Sequence, residues 1–304
     1  MRAGGRALAA ASPASPAQGG TLYVVATPIG NLADVTLRAL EVLRSVPLIA
    51  AEDTRVTSRL LDRYNIQTRL TSWHARSAPG RLVSLLEHLR GGADLALVTD
   101  AGTPMISDPG DALVRAWTAE GGAVVPIPGA SAVLAAVAAT GIAGPRWVFE
   151  GFLPRSGRER RERLGAIATD LRGAVVYEAP SRVGPTLHDL VAACGADRPA
   201  ALCRELTKLH EEIVRDTLGV LETRVADGAI AARGEFVIVV GAVPEGSLQA
   251  PGDPRADLTA ADALAAGRAD VARLVADGLT RSAAAKRVAR ERGLSRRSLY
   301  EPQD

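Results

Sequence analysis

Two cysteines, Cys194 and Cys203, in 304 residues are too few for a disulfide framework or a thiolate zinc site. Each lies in an apolar segment, which predicts buried free thiols in a reducing compartment, and no metal is expected. Lysine is nearly absent. Only Lys208 and Lys286 interrupt a chain whose other cations are arginine, and no G-x-x-x-x-G-K-[ST] occurs, which argues against a P-loop nucleotidase. The first strand runs into 26-ATPIGNLADVT-36, where a dinucleotide fold would need G-x-G-x-x-G. Only Gly30 is present, which argues against a Rossmann dehydrogenase. No apolar run approaches the roughly 20 residues of a membrane span, and a cytoplasmic protein without membrane contact is expected. The formal charge of +2 says little about partners.

What the chain does have is a strand and helix rhythm. The runs 22-LYVVA-26, 48-LIAAE-52, 95-LALVT-99 and 123-AVVPI-127 read as buried strands, and 36–46, 80–90, 111–121 and 131–141 as helices. That order predicts an α/β domain over 21–145 with a mostly parallel sheet covered on both faces. From 146 to 243 the strand-like runs 174–179, 200–206, 211–218 and 235–242 come with helices at 158–172 and 182–195. Two neighbouring strands without a helix between them predict a mixed sheet, hence a second α/β domain. Residues 1–20 read as a disordered tail, 244–257 as a linker, and 258–304 as a small helical module.

Three loops at one edge of the first sheet are rich in Gly, Pro and small polar residues: 26–36, 99-TDAGTPMISDPG-110 and 126-PIPGASA-132. Ligands of open α/β sheets bind at the carboxyl ends of strands, so these loops predict a shared cleft. Asp108-Pro109 reads as a helix cap followed by proline at the first helical position. The ordered series 24-VVATPIGNLAD-34, 51-AEDTR-55, 98-VTDAGTPMISDPG-110, 127-IPGASA-132, 177-YEAPSR-182, 204-RELTKLHEE-212 and 235-EFVIVVGA-242 resembles the tetrapyrrole methylase superfamily. Within it the chain is similar to the branch that methylates the ribose 2′-hydroxyl of a decoding-region cytidine in small-subunit ribosomal RNA.

The resemblance implies a class III methyltransferase: two α/β domains in a homodimer, with S-adenosylmethionine in the cleft between the domains. Carried over motif by motif, Pro28, Ala101, Gly102, Thr103, Ile106, Ser131 and Ala132 contact the cofactor from the first domain, and Glu178 and Leu206 from the second. Ala26 departs from the pattern, which has Gly there. A cofactor without phosphate suits loops that offer backbone and small side chains, with no lysine before position 208.

A ribose hydroxyl is a poor nucleophile at neutral pH, so a base or a cation is required beside it. Glu52, Asp53 and Arg55 on the end of the second strand are the candidates for that chemistry, and Arg55, Arg182 and Lys208 for gripping RNA phosphate. Trp73, His74 and Arg76 form a further RNA-facing candidate by stacking and charge, against a loop aromatic covering the core. Segment 154-PRSGRERRER-163 reads equally as a phosphate contact or a solvated helix face. The tail places Arg281, Lys286, Arg287 and Arg290 on helices around a glycine turn, a helix-turn-helix-like module suited to docking on ribosomal RNA. Two other readings stay open: a methylase of the same fold acting on a tetrapyrrole or a modified protein residue, and a non-catalytic RNA-binding protein.

Overall fold

All four residues of 95-LALV-98 are buried, as a strand with helices on both faces requires. The structure is a computed structural model that describes residues 19–243, 254–276, 278–292 and 294–300. Its first sheet contains β1 (Thr21–Val25), β2 (Leu48–Ala51), β3 (Arg69–Ser72), β4 (Leu95–Val98) and β5 (Ala123–Ile127) in the order β3-β2-β4-β1-β5. Every pairing is parallel. Helices α1 (Leu37–Ser45) and α2 (Thr54–Arg63) cover one face through Leu40, Leu43, Leu60 and Leu61. Helices α3 (Pro79–Arg90) and α4 (Asp111–Ala119) cover the other through Leu85, Leu89, Leu113 and Trp117.

The strand order puts the loops after β4, β1 and β5 side by side. These are the three loops singled out in the sequence. In this half one strand and one helix were not expected. Strand β3, 69-RLTS-72, is a partly exposed edge with one large apolar residue and gives no hydrophobic run to read. Helix α2 was missed although its signals are present: Asp53 caps it by accepting the Arg55 backbone N–H, and its apolar residues recur at helical spacing.

The second half comprises β6 (Trp147–Phe152), α6 (Gly157–Thr169), β7 (Gly173–Glu178), α7 (Val183–Cys194), β8 (Pro199–Arg204), β9 (Glu212–Thr217), α8 (Leu218–Ala226) and β10 (Phe236–Val240). Its sheet has the order β6-β7-β10-β8-β9 and is mixed: β6 and β7 are parallel, whereas β10 runs antiparallel to β7 and β8, and β8 to β9. One face packs on α6, α7 and α8. The other is covered by α5 (Ala132–Thr140), a helix of the first half, whose Val133 and Ala136 join Val175, Ala201, Cys203, Val237 and Val239 in one core. Arg215 on β9 donates to the Ala139 and Thr140 carbonyls and so caps the same helix end. The two halves therefore form one compact unit.

Gly19 and Gly20, expected at the end of a disordered tail, belong to the fold. The Gly20 N–H donates to the Leu89 carbonyl at 2.7 Å, and a Cβ on Gly20 would meet the Ala93 carbonyl oxygen at 2.1 Å. The remainder of that tail, 1–18, and residues 244–253 of the expected linker lie outside the described residues. Cys203 is buried and Cys194 half-buried, both free, and burial pushes the Cys203 thiol up to about 12.

Gly122 illustrates how tightly the first half is packed. A Cβ there would stand 2.0 to 2.3 Å from ring atoms of Trp117, which is 1% exposed and donates its indole N–H to the Ala123 carbonyl. A rigid indole cannot yield that distance. Gly122→Ala is expected to lower the unfolding free energy by about 3 kcal/mol through overpacking, read as an earlier midpoint in denaturant. An unchanged midpoint would mean that the Trp117 ring relaxes freely.

The C-terminal unit is a separate helical module. Among the described residues it contains α9 (Pro254–Ala276), α10 (Arg281–Arg292) and α11 (Arg296–Tyr300). The expected linker at 244–257 thus gives way to helix at Pro254, where the fixed φ of proline suits a first helical position. Val271, Ala284, Ala285, Val288 and Leu299 form its core. Gly267 permits this approach, since a Cβ would meet Leu294 at 2.7 Å and Leu299 at 2.9 Å. Arg281, Lys286 and Arg287 are exposed on α10, while the Arg290 side chain lies outside the described residues.

Candidate active site

The three loops are stitched to one another before any ligand is considered. The Thr27 N–H donates to the Gly102 carbonyl at 2.9 Å and the Gly102 N–H returns a bond to the Thr27 carbonyl at 3.0 Å. The Thr27 hydroxyl donates to the Thr99 carbonyl, and the Thr103 hydroxyl donates to the Ala130 carbonyl. Gly102 has φ +80°, a conformation that glycine adopts without strain. Ala26, the departure from the family pattern, fits because residue 129 is glycine: a Cβ on Gly129 would meet the Ala26 Cβ at 3.0 Å.

These loops and the second half enclose a cavity of about 290 Å³. Seven of the nine sequence-predicted cofactor residues line it: Ala101, Gly102, Thr103, Ile106, Ser131, Ala132 and Glu178. Pro28 and Leu206 do not. Pro28 is buried beside Ile29, which does line the cavity, and Leu206 packs in the same core as Ile29, so both support the wall from behind. Sequence reasoning missed Asp108, Phe152, Tyr177, Glu235 and Phe236.

The first loop docks on the second half at a single glycine. A Cβ on Gly30 would lie 2.4 Å from Lys208 Cγ, 2.9 Å from Thr207 Oγ1 and 3.1 Å from the Leu206 carbonyl oxygen. The next residue continues the contact, with the Asn31 N–H donating to Thr207 Oγ1 at 3.1 Å. Lys208 itself is spoken for: its Nζ donates to Glu205 at 2.8 Å and to Glu235 at 3.0 Å. Burial works against its charge, but these two carboxylates hold its pKa above the ordinary lysine value.

Glu178 forms the floor of a buried polar network. Its side chain is fully buried, accepting from the Ala179 N–H at 2.8 Å and the Thr186 hydroxyl at 2.6 Å, with Arg182 Nε at 3.3 Å. Arg160 extends the network, donating to Thr186 Oγ1, to the Pro154 carbonyl and to Asp189. The arginine segment 154–163 is therefore divided. Arg160 is buried and structural and Arg163 pairs with Glu150, whereas Arg155 and Arg161 are exposed.

Glu52, Asp53 and Arg55 stand at the junction of β2 and α2 and do not line the cavity. The Arg55 guanidinium beside Asp53 holds that carboxyl down at about 2, which makes Asp53 a weak base. Glu52 is raised by burial, and its Oε2 accepts the Asp100 N–H at 3.4 Å. Trp73 is buried against Leu85 and Leu89 and offers no face for stacking, which removes the reading of a Trp73 platform; His74 and Arg76 are exposed. Asp108 is not the cap of α4. Gly110, with φ +144°, takes that position, and Asp108 faces the cavity.

Residues 21–222 match the family model of the tetrapyrrole (corrin/porphyrin) methylases. A Synechocystis protein named ribosomal RNA small subunit methyltransferase I is 44% identical over 283 residues, covering 93% of this chain and 96% of that protein. Its namesake from Xylella fastidiosa is 43% identical over 281 residues, covering 92% and 98%. Among solved structures, the methyltransferase CobJ superposes with a TM-score of 0.57 at 22% identity, covering 73% of this chain and 94% of that chain. The Thermus thermophilus uroporphyrin-III C-methyltransferase complexed with S-adenyl homocysteine does so with 0.54 at 20% identity, covering 74% and 98%. Strand order, the stitched loops at one sheet edge and these likenesses converge: the chain belongs to the ribosomal RNA small subunit methyltransferase I family of the tetrapyrrole methylases.

Proposed function

We propose that this protein transfers a methyl group from S-adenosylmethionine to the ribose 2′-hydroxyl of a cytidine in the decoding region of small-subunit ribosomal RNA. Its family carries the coarser part of that statement, a methyltransferase of small-subunit ribosomal RNA. The observation that supports the cofactor is the character of the cavity wall. Backbone, small residues and apolar side chains line it together with Asp108, Glu178 and Glu235, and among the described residues no cation does. Such a wall repels phosphate and suits a nucleoside that carries positive charge. When bound, the cofactor supplies an electrophilic methyl group on a sulfonium.

The chain's own residues then orient and exclude. Ala101, Gly102 and Thr103 from the second loop and Ser131 and Ala132 from the third hold the nucleoside side, while Glu178, on a strand end of the second half, closes the opposite wall. Alignment of acceptor oxygen with the methyl carbon is the larger part of catalysis for such a displacement. Arg55, whose side chain is 86% exposed, supplies a phosphate contact, assisted by Arg182 and Lys208. In the C-terminal module Arg281, Lys286, Arg287 and Arg290 dock on the ribosomal RNA, and the protein acts as a homodimer in the cytoplasm. Glu52 and Asp53 shape the second strand end and place Arg55.

The test is transfer of labelled methyl from S-adenosylmethionine by the full chain to small ribosomal subunits that lack the modification, followed by nuclease digestion and mass analysis. A single 2′-O-methylcytidine is expected. A methylated base would overturn the ribose assignment, and cofactor binding without transfer to subunits or precursor RNA would favour a tetrapyrrole or protein acceptor.

A further inference from the structure

The Asp108 carboxylate is an unpaired acid on the cavity wall. Other acids at the strand ends are engaged: Asp53 by Arg55, Asp100 by the Asp53 N–H, Glu205 and Glu235 by Lys208, and Glu178 by Thr186 and Arg182. Asp108 has no hydrogen-bond or ion-pair partner among the described residues, although it is half-buried. The backbone that delivers it is strained. Met105 and Ser107 adopt left-handed conformations at φ +72° and +69°, which disfavour residues with side chains, and Gly110 follows at +144°. Such strain persists where the surrounding structure imposes it, and it clusters at functional sites.

Taking the ribose hydroxyl as acceptor, as in the reading above, we propose that Asp108 is the catalytic residue that removes the proton from that hydroxyl. The hydroxyl oxygen forms its bond to the methyl carbon while its hydrogen passes to an Asp108 carboxylate oxygen. The carbon–sulfur bond breaks and its electron pair stays on sulfur, leaving a neutral thioether and a protonated Asp108 that returns its proton to water. A sulfonium and a carboxylate are both neutralised, a change that a poorly solvated cavity favours.

The surroundings suit Asp108 to this task. Burial first, and then the charges of Glu52, Asp100 and Glu235, raise its pKa to about 7. Tyr177 faces it from β7, with its own phenol pushed up by burial to about 12, and no cation among the described residues offsets these groups. A carboxylate that titrates near the working pH is a stronger base than an ordinary one. The same pKa means that binding a cation drives a proton off Asp108 at neutral pH.

The experiment compares wild type, Asp108→Asn and Asp108→Glu as full chains, with unfolding midpoints confirming that each is folded. Calorimetry at pH 7 in two buffers of different ionisation enthalpy reads proton release on S-adenosylmethionine binding. Single-turnover transfer to unmodified small subunits is followed from about pH 5.5 to about pH 9. In wild type, a fraction of a proton is released, and transfer measured from the free enzyme rises with pH through a midpoint near 7 and levels off above it. Asp108→Asn is expected to abolish that release, keep cofactor affinity within about threefold and slow transfer at least about a hundredfold with a flat pH profile. Asp108→Glu should restore part of the rate together with the rise. Wild-type transfer by Asp108→Asn would overturn the proposal. So would a loss traced wholly to weaker cofactor binding with the pH break unmoved, which would assign Asp108 to holding the cofactor's cationic groups. If the wild-type product is methylated elsewhere than on ribose, the acceptor reading itself fails, and the nucleoside analysis shows this independently of the variants.

Discussion

Glu178→Ala is expected to unfold about 3 kcal/mol more easily than the parent and to lose at least about tenfold in S-adenosylmethionine affinity. The carboxylate is fully buried and gathers three partners, so its removal strands all of them. The Thr186 hydroxyl loses its acceptor, the Ala179 N–H its side-chain partner, and Arg182 the carboxylate 3.3 Å away. A buried pair broken from one side leaves an uncompensated charge, and that penalty exceeds the net worth of the pair. The figure is taken at the lower end because Arg182 keeps a quarter of its side chain in water and still donates to the Leu153 carbonyl. Glu178→Gln should fall between, since an amide oxygen can serve the Ala179 N–H while its NH₂ faces another donor. Denaturant titration and calorimetry separate the two effects. Full stability in the alanine variant would mean that the network reorganises around water.

Gly30→Val is expected to weaken cofactor binding at least about tenfold while lowering stability by only about 1 to 2 kcal/mol. The added side chain meets Lys208 Cγ at 2.4 Å, and that methylene can swing away, but Thr207 Oγ1 and the Leu206 carbonyl are within 3.1 Å and belong to a loop that cannot. Glu205 and Thr207 in that loop already sit at φ +51° and +67°. The first loop must therefore lift, breaking the bond from Asn31 to Thr207 and shifting Ile29 at the cavity wall. Equal affinity in parent and variant would show that the cavity does not depend on this docking point.

The strands that were legible are those buried on both faces. The runs at 95–98 and 236–240 are apolar throughout because helices or a second layer cover each side. Strand β3 was illegible for the opposite reason: an edge strand open to water carries no such run. Helix α5, 132-AVLAAVAAT-140, was legible as a helix but not as the element that joins the halves. It is apolar on nearly every side, which predicts burial without saying against what. Asp108 shows where a sound local rule loses. Asp-Pro suggests a cap and a first helical residue, yet the left-handed Met105 and Ser107 turn the chain so that the helix begins two residues later and the acid is left on the cavity. The roles of Gly30 and Gly129 were equally hidden, since each is defined by a neighbour distant in sequence.

The reciprocal backbone bonds between Thr27 and Gly102, with the threonine hydroxyls tying in the Thr99 and Ala130 carbonyls, have a thermodynamic consequence. Three glycine- and proline-rich segments left free would have to surrender conformational entropy each time a cofactor arrived, and their ordering would be charged against affinity in every catalytic cycle. Here that loss is taken once, at folding, by hydrogen bonds that need no ligand. Exchange of spent for fresh cofactor then becomes an encounter with a wall that is already in place.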